Sequence, residues 1–220
     1  MGAAPEPVQR LPSGVGAVDA LLGGGVPRGR ISELIGPLSS GKTSFLLTLL
    51  AAATRRGELV ACVDIADALH PASLAAAGAD LGRVLWVRPH SPVEAARCTE
   101  LLLQAGGFTV VALDLGTPVP RPLRAQLWPR LLHAAEQSQT AAIILAPQRV
   151  AGSFATLSLG VQRRAFLWHP GVWSLWHGFD TTVQLLRNKL GAPGRATLLQ
   201  ARAAEMLPIT ALARRAPETA

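Results

Sequence analysis

The sequence predicts an α/β protein: a mostly parallel sheet with flanking helices and an antiparallel hairpin extension at its C-terminal edge. Three observations carry this. From Arg30 to Leu145, short apolar runs alternate with helix-period segments, the rhythm of parallel strands joined by crossover helices. Inside that stretch, an alternating run (Arg30 to Ile35) meets Gly-Pro-Leu-Ser-Ser-Gly-Lys-Thr and then a helix with Phe45, Leu46, Leu49 and Leu50 at helical spacing. After Gln148 the rhythm changes to three strand-like runs separated by turns.

The elements follow in chain order. Residues 1–10 read as a flexible tail, 11–203 as one core domain and 204–220 as a mobile tail. Ser13 is placed to cap a short helix through Val18 to Leu22, which the Gly23-Gly24-Gly25 run then breaks. The helix after the glycine-rich turn ends at Arg55-Arg56-Gly57, cations and then glycine, as a helix C-terminus favours. Strands are expected at Leu59–Asp64, Val84–Val87, Thr109–Asp114 and Ala141–Leu145. Helices are expected at Pro71–Gly78, Pro92–Ala105 and Arg121–Ser138. Leu157–Trp168, Thr181–Asn188 and Ala196–Ala201 are the three later strands, expected to add antiparallel at one edge. Ligands of such a sheet bind at the carboxyl ends of its strands.

Composition narrows the class. The chain has 220 residues, 49% hydrophobic and 16% charged, which suits one sizeable core. Its longest strongly apolar run, Phe45 to Ala53, is too short to span a bilayer, so no membrane role is expected. Cys62 and Cys98 lack metal spacing and read as packed thiols in a reducing, cytoplasmic compartment. The five histidines show no metal spacing either. A net charge of +7 permits attraction to DNA or to an acidic protein surface. Only Lys42 and Lys189 are lysines; every other cation is arginine. A compact ammonium suits a phosphate at Lys42, and its rarity elsewhere marks Lys189 as a second candidate.

Gly36 to Thr43 carries the chemistry. Strand, Gly-x-x-x-x-Gly-Lys-Thr and helix is the phosphate-binding loop in its expected context. Gly36, Pro37, Ser39, Ser40 and Gly41 curl the backbone so that N–H groups point inward, at the positive end of a helix. Lys42 is placed for the β- and γ-phosphates, and the Thr43 hydroxyl for Mg²⁺. A second cluster gathers Trp168, Trp173 and Trp176 with Arg163, Arg164, His169 and His177. It reads either as a basic, aromatic hairpin that docks protein or single-stranded DNA, or as core closing the sheet edge. Arg121, Arg124 and Arg130 mark a basic helix face.

These residues resemble the ATPase core of the RecA recombinase family over roughly Ser13 to Ala201. Ser13-Gly14…Asp19 with Val26-Pro27-Arg28-Gly29-Arg30, the phosphate loop, and Asp64…Ala68-Leu69-His70-Pro71 carry the likeness. The resemblance implies a RecA-like P-loop core that takes ATP with Mg²⁺. It puts Asp114 beside Thr43 at the metal and Gln148 at the γ-phosphate sensor. Arg187 and Lys189 fall at the basic pair that enters a neighbouring subunit's ATP site, which leaves a homo-oligomer open.

Several positions depart from the family. Ala66 stands where it has the glutamate that positions the attacking water, and Asp67 next to it points the other way. Ser73 and His70 replace the tyrosine and aspartate that face adenine. The stretches matching the two DNA loops, Leu115–Pro120 and Val150–Thr156, are short, and the polymerising N-terminal arm and the C-terminal domain are expected to be missing. This outline is most similar to the ImuA proteins, reduced RecA homologues of the SOS translesion machinery. That likeness implies an accessory role with the RecA recombinase and an inactive Y-family polymerase homologue as partners, and weak or absent hydrolysis. A minimal DNA-stimulated RecA-like ATPase and a SulA-like division inhibitor are the rival readings.

Overall fold

A computed structural model describes residues 8–117, 123–168 and 176–202. The described backbone contacts begin at Gln9, ahead of the expected start of the core at residue 11. β1 (Arg10–Leu11) pairs antiparallel with β2 (Val26–Pro27), and the Gln9 carbonyl accepts from Arg28 N. Arg10 therefore belongs to the folded part, because pairing with β2 satisfies its backbone. Gly25 permits this approach: its φ is +123°, and a Cβ there would lie 2.1 Å from the Leu11 carbonyl oxygen. Between the two strands runs α1 (Gly16–Leu22), whose N-cap is Val15 and not Ser13. Ser13 acts one step earlier, accepting from Val15 N through its hydroxyl and donating its own N–H to Asp19.

β3 (Ile31–Ile35) leads through the glycine-rich loop into α2 (Lys42–Arg55). There follow β4 (Leu59–Asp64), α3 (Pro71–Ala76), β5 (Val84–Val87), α4 (Pro92–Ala105), β6 (Phe108–Asp114), α5 (Leu127–Ser138) and β7 (Ala141–Ala146). The chain closes with β8 (Ala155–Trp168), β9 (Trp176–Asn188) and β10 (Ala196–Arg202). α5 begins later than expected; Arg124 precedes it and Arg121 lies outside the described residues. α4 starts where expected and is capped at its N-terminus: Ser91 Oγ accepts from Glu94 N, and the Glu94 carboxylate accepts from His90 N, just before the cap.

The main sheet has eight strands in the order β10-β9-β8-β3-β7-β6-β4-β5. All neighbours from β8 to β5 are parallel; β9 and β10 are antiparallel. The mostly parallel α/β fold expected from sequence is therefore present. One detail differs: β8 joins β3 in parallel, because residues 147–154 carry the chain from the top of β7 back to the foot of β3. Only the two strands after it form the antiparallel extension.

Each sheet face buries its own core. α1, α2 and α3 cover one face with Leu46, Leu49, Leu50 and Leu74 against Val60, Val110, Leu159 and Val183. α4 and α5 cover the other with Leu103, Trp128 and Leu131 against Val63, Val111 and Ile144. β3 is buried along its whole length, so Ser32 and Glu33 are interior as well as its apolar residues. Among the described residues no helix is long and apolar enough to cross a membrane.

Candidate phosphate-binding site

The loop from Gly36 to Gly41 leaves the top of β3 and ends at the N-terminus of α2. Both neighbouring strands pin its start. Gly36 N donates to the Ala146 carbonyl of β7. On the other side, a Cβ at Gly36 would stand 2.3 Å from the Val161 carbonyl oxygen of β8, so only glycine fits. Ser39 and Gly41 take positive φ values and curl the loop. Its outer rim is held by β9 and β8: Thr181 Oγ1 donates to the Ser40 carbonyl at 2.7 Å, and Arg163 Nη1 donates to the Ser39 carbonyl at 3.2 Å.

Lys42 is buried and spans the loop, donating from Nζ to the carbonyls of Gly36 (3.0 Å) and Pro37 (3.2 Å). Burial lowers its pKa, and the nearby Asp114 charge partly restores it. A phosphate oxygen entering the loop offers this ammonium a charged acceptor in place of two neutral carbonyls. Thr43 follows it, half-buried, on the first turn of α2.

Asp114 ends β6, paired in register with Asp64 at the end of β4. Burial raises its pKa, Gly116 N lowers it through a 2.9 Å hydrogen bond, Asp64 raises it and Lys42 lowers it. Asp64 is buried too: Oδ2 accepts from Leu69 N, while Oδ1 has no hydrogen-bond partner among the described residues. Two adjacent buried carboxylates, one with an unpartnered oxygen, and a hydroxyl at Thr43 are a hard oxygen donor set that fits Mg²⁺. The same charges push the Cys62 thiol up, after burial.

The sign of the Asp114 shift gives a prediction. A carboxyl raised in the native state opposes folding when ionised, and stability returns as pH falls through its native pKa. Asp114→Asn should therefore raise the melting temperature without metal by about 2–4 °C, the effect of about 1 kcal/mol in a chain of this size. It should also abolish any gain from Mg²⁺ and nucleotide. Thermal unfolding with and without both ligands tests this, and an unchanged Mg²⁺-dependent gain in the variant refutes it.

The other candidates are dispersed. Gln148 is exposed just beyond the top of β7, on the same flank of the loop as Asp114. Arg187 and Lys189 lie toward the foot of the sheet, away from the loop, and donate to the carbonyls of Gly152 and Ser153 in their own chain. Ala66 stands exposed on the rim beside Gly116, and Asp67 turns away to Arg88 at 3.7 Å. His70 and Ser73 cap α3: His70 Nδ1 accepts from Ser73 N and contacts Ser73 Oγ at 3.0 Å. Arg130 is paired with the buried Glu100 of α4 at the mouth of a hollow of about 390 Å³ between α4 and α5, far from the loop's chemistry. Trp168 is half exposed and so does not close a core; Trp173, His169 and the Trp176 side chain lie outside the described residues.

Sequence reasoning missed Glu33. This fully buried carboxylate accepts from Val150 N, Ala151 N and Ser158 Oγ at 2.8, 2.8 and 2.6 Å. The signal was available: an acid in a central strand buried on both faces must be paired. Thr181 and Phe179 were missed because only tertiary structure brings β9 to the loop.

The RecA protein of Streptomyces coelicolor is 29% identical over 223 residues, covering 86% of this chain and 59% of its own length. That of Symbiobacterium thermophilum is 42% identical over 108 residues, or 49% of this chain and 31% of its own. That of Rubrobacter xylanophilus is 40% identical over 120 residues, covering 54% and 35%. The chain thus spans less than two thirds of the length of these relatives. Residues 2–122 match the RecA N-terminal domain model, and with the loop, sheet order and paired strand-end carboxylates described above, the chain belongs to the RecA N-terminal domain family.

Proposed function

We propose that this chain is a RecA-fold accessory protein of the DNA-damage (SOS) translesion machinery, one that takes up ATP with Mg²⁺ and hydrolyses it weakly or not at all. It works in the cytoplasm by binding partners, the RecA recombinase and an inactive Y-family polymerase homologue among them. Gly36, Pro37, Ser39, Ser40, Gly41 and Lys42 hold the phosphates, Thr43 and Asp114 hold the metal, and Gln148 faces the γ-phosphate. Arg187 and Lys189 engage the ATP site of an adjoining RecA subunit, after release from their own loop carbonyls.

The observation behind slow turnover is Ala66. It puts a methyl group on the rim beside the strand-end carboxylates, and the nearest acid, Asp67, is drawn to Arg88. Without a positioned base, hydrolysis loses typically about 10²- to 10⁴-fold. The accessory role is supported by the short β7–β8 connection, residues 147–154, where the resemblance expects a DNA loop. The unbroken phosphate loop flanked by Asp114 and Gln148 favours a second reading, a minimal DNA-stimulated ATPase.

Tryptophan fluorescence during a titration with Mg·ATP, followed by phosphate release with and without single-stranded DNA, separates the two. Binding that Lys42→Ala removes, with negligible turnover, is the expected result. Robust DNA-stimulated turnover lost in Lys42→Ala would replace the accessory reading with the enzyme. Failure to capture RecA or alter its filament ATPase in pull-down assays would end the partner assignment.

A further inference from the structure

We propose that the nucleobase and ribose of the bound nucleoside triphosphate rest on the β8–β9 hairpin, against Arg163, Phe166 and Phe179. This rests on reading Gly36–Thr43 as a triphosphate site. A pocket of about 300 Å³ opens over that loop, and beyond residues 38–44 its wall is made of these three side chains. Phe166 and Phe179 are directly paired across the two strands and so share one face of the sheet. Phe179 lies under the end of the loop, where a Cβ on Gly41 would come within 2.9 Å of its ring. Arg163 stacks its guanidinium on Phe166, 4.1 Å from the ring centroid, while donating to the Ser39 carbonyl. The guanidinium plane is thus fixed between ring and loop. Phe166 is 47% exposed, so its ring is open to a ligand's face.

Direction follows from the sheet. Asp114 and Gln148 stand on the β6–β7 flank of the loop, so the metal and terminal phosphate belong there. The base end must then leave toward the opposite flank, which is β8 and β9. The other positions expected to face the base, His70 and Ser73, are engaged with each other in capping α3. Rings and a guanidinium read a base by its face, not by its edge. The site should therefore take purine nucleoside triphosphates, with little discrimination between adenine and guanine.

The test uses the full chain and its Phe166→Leu variant, which keeps an apolar side chain and removes the ring. Mg·ATP, Mg·GTP and magnesium tripolyphosphate are titrated into each. The expected result is ATP and GTP binding within a few-fold of each other, both weakened about 10- to 100-fold in the variant. Tripolyphosphate binding should be the same in both proteins. Unchanged ATP affinity in the variant overturns the hairpin assignment, as does equal weakening of ATP and tripolyphosphate, which would signal a distorted loop. A wild-type chain that binds none of the three ligands overturns the phosphate-loop reading and this assignment with it.

Discussion

Replacing Ala66 with glutamate is expected to raise ATP turnover by about 10²-fold or more. The position lies at the edge of β4 and β6: a Cβ built on Gly116 would come within 3.0 Å of the Ala66 methyl. The backbone N–H of Gly116 is in turn held by Asp114. A carboxylate there would sit next to the metal-side acids, on the flank that Gln148 shares, where an attacking water can be oriented. Asp67 cannot substitute. Its backbone adopts a positive φ of 51°, and its side chain is directed to Arg88 on the far side. Single-turnover phosphate release, with and without single-stranded DNA, measures the gain, and Lys42→Ala in the same background should erase it. A variant that binds ATP normally and gains no rate would remove Ala66 as the basis for the proposed weak or absent hydrolysis.

Glu33→Ala should lose about 3–5 kcal/mol of stability, since each buried donor left unsatisfied costs about 1–3 kcal/mol. Two backbone N–H groups and one hydroxyl would be left without their acceptor inside the protein. Arg149, at 4.0 Å and half exposed, adds little. Glu33→Gln should be far milder, because its carbonyl oxygen still accepts from Val150 N and Ala151 N and the Ser158 hydroxyl can turn to accept from its amide. Urea denaturation gives the free energies. Hydrogen exchange gives the location: residues 147–154 should lose protection before the rest of the sheet. A loss below about 1 kcal/mol in Glu33→Ala would show that the network is not what fixes this connection.

The sheet was legible because its signals are local. Apolar runs bounded by glycine and cation-rich turns place β4, β5 and α4 with the observed limits, and the glycine-lysine-threonine turn places α2. The glycine-rich loop was legible for the same reason, since it is contiguous in sequence. What sequence could not supply is what the fold brings from afar. β1 and β2 are two-residue strands, too short for any period to register. The direction of β8 depends on the path of residues 147–154, which no residue type announces. Phe166, Phe179 and Thr181 meet the loop only through the register of β8 and β9, and in sequence they are ordinary strand residues.

The bond from Thr181 to the Ser40 carbonyl joins positions 141 residues apart. A chain emerging from the ribosome exposes its phosphate loop long before the strand that braces it. Until β9 has been synthesised and has paired with β8, the loop has its glycines and lysine but neither Thr181 at its rim nor Phe179 beneath it. Any ligand capture would thus wait for the synthesis of β9, and a product cut short before β9 would be born with the motif and without the grip. Nucleotide would then stabilise chains in which β8 and β9 have docked over those in which they have not.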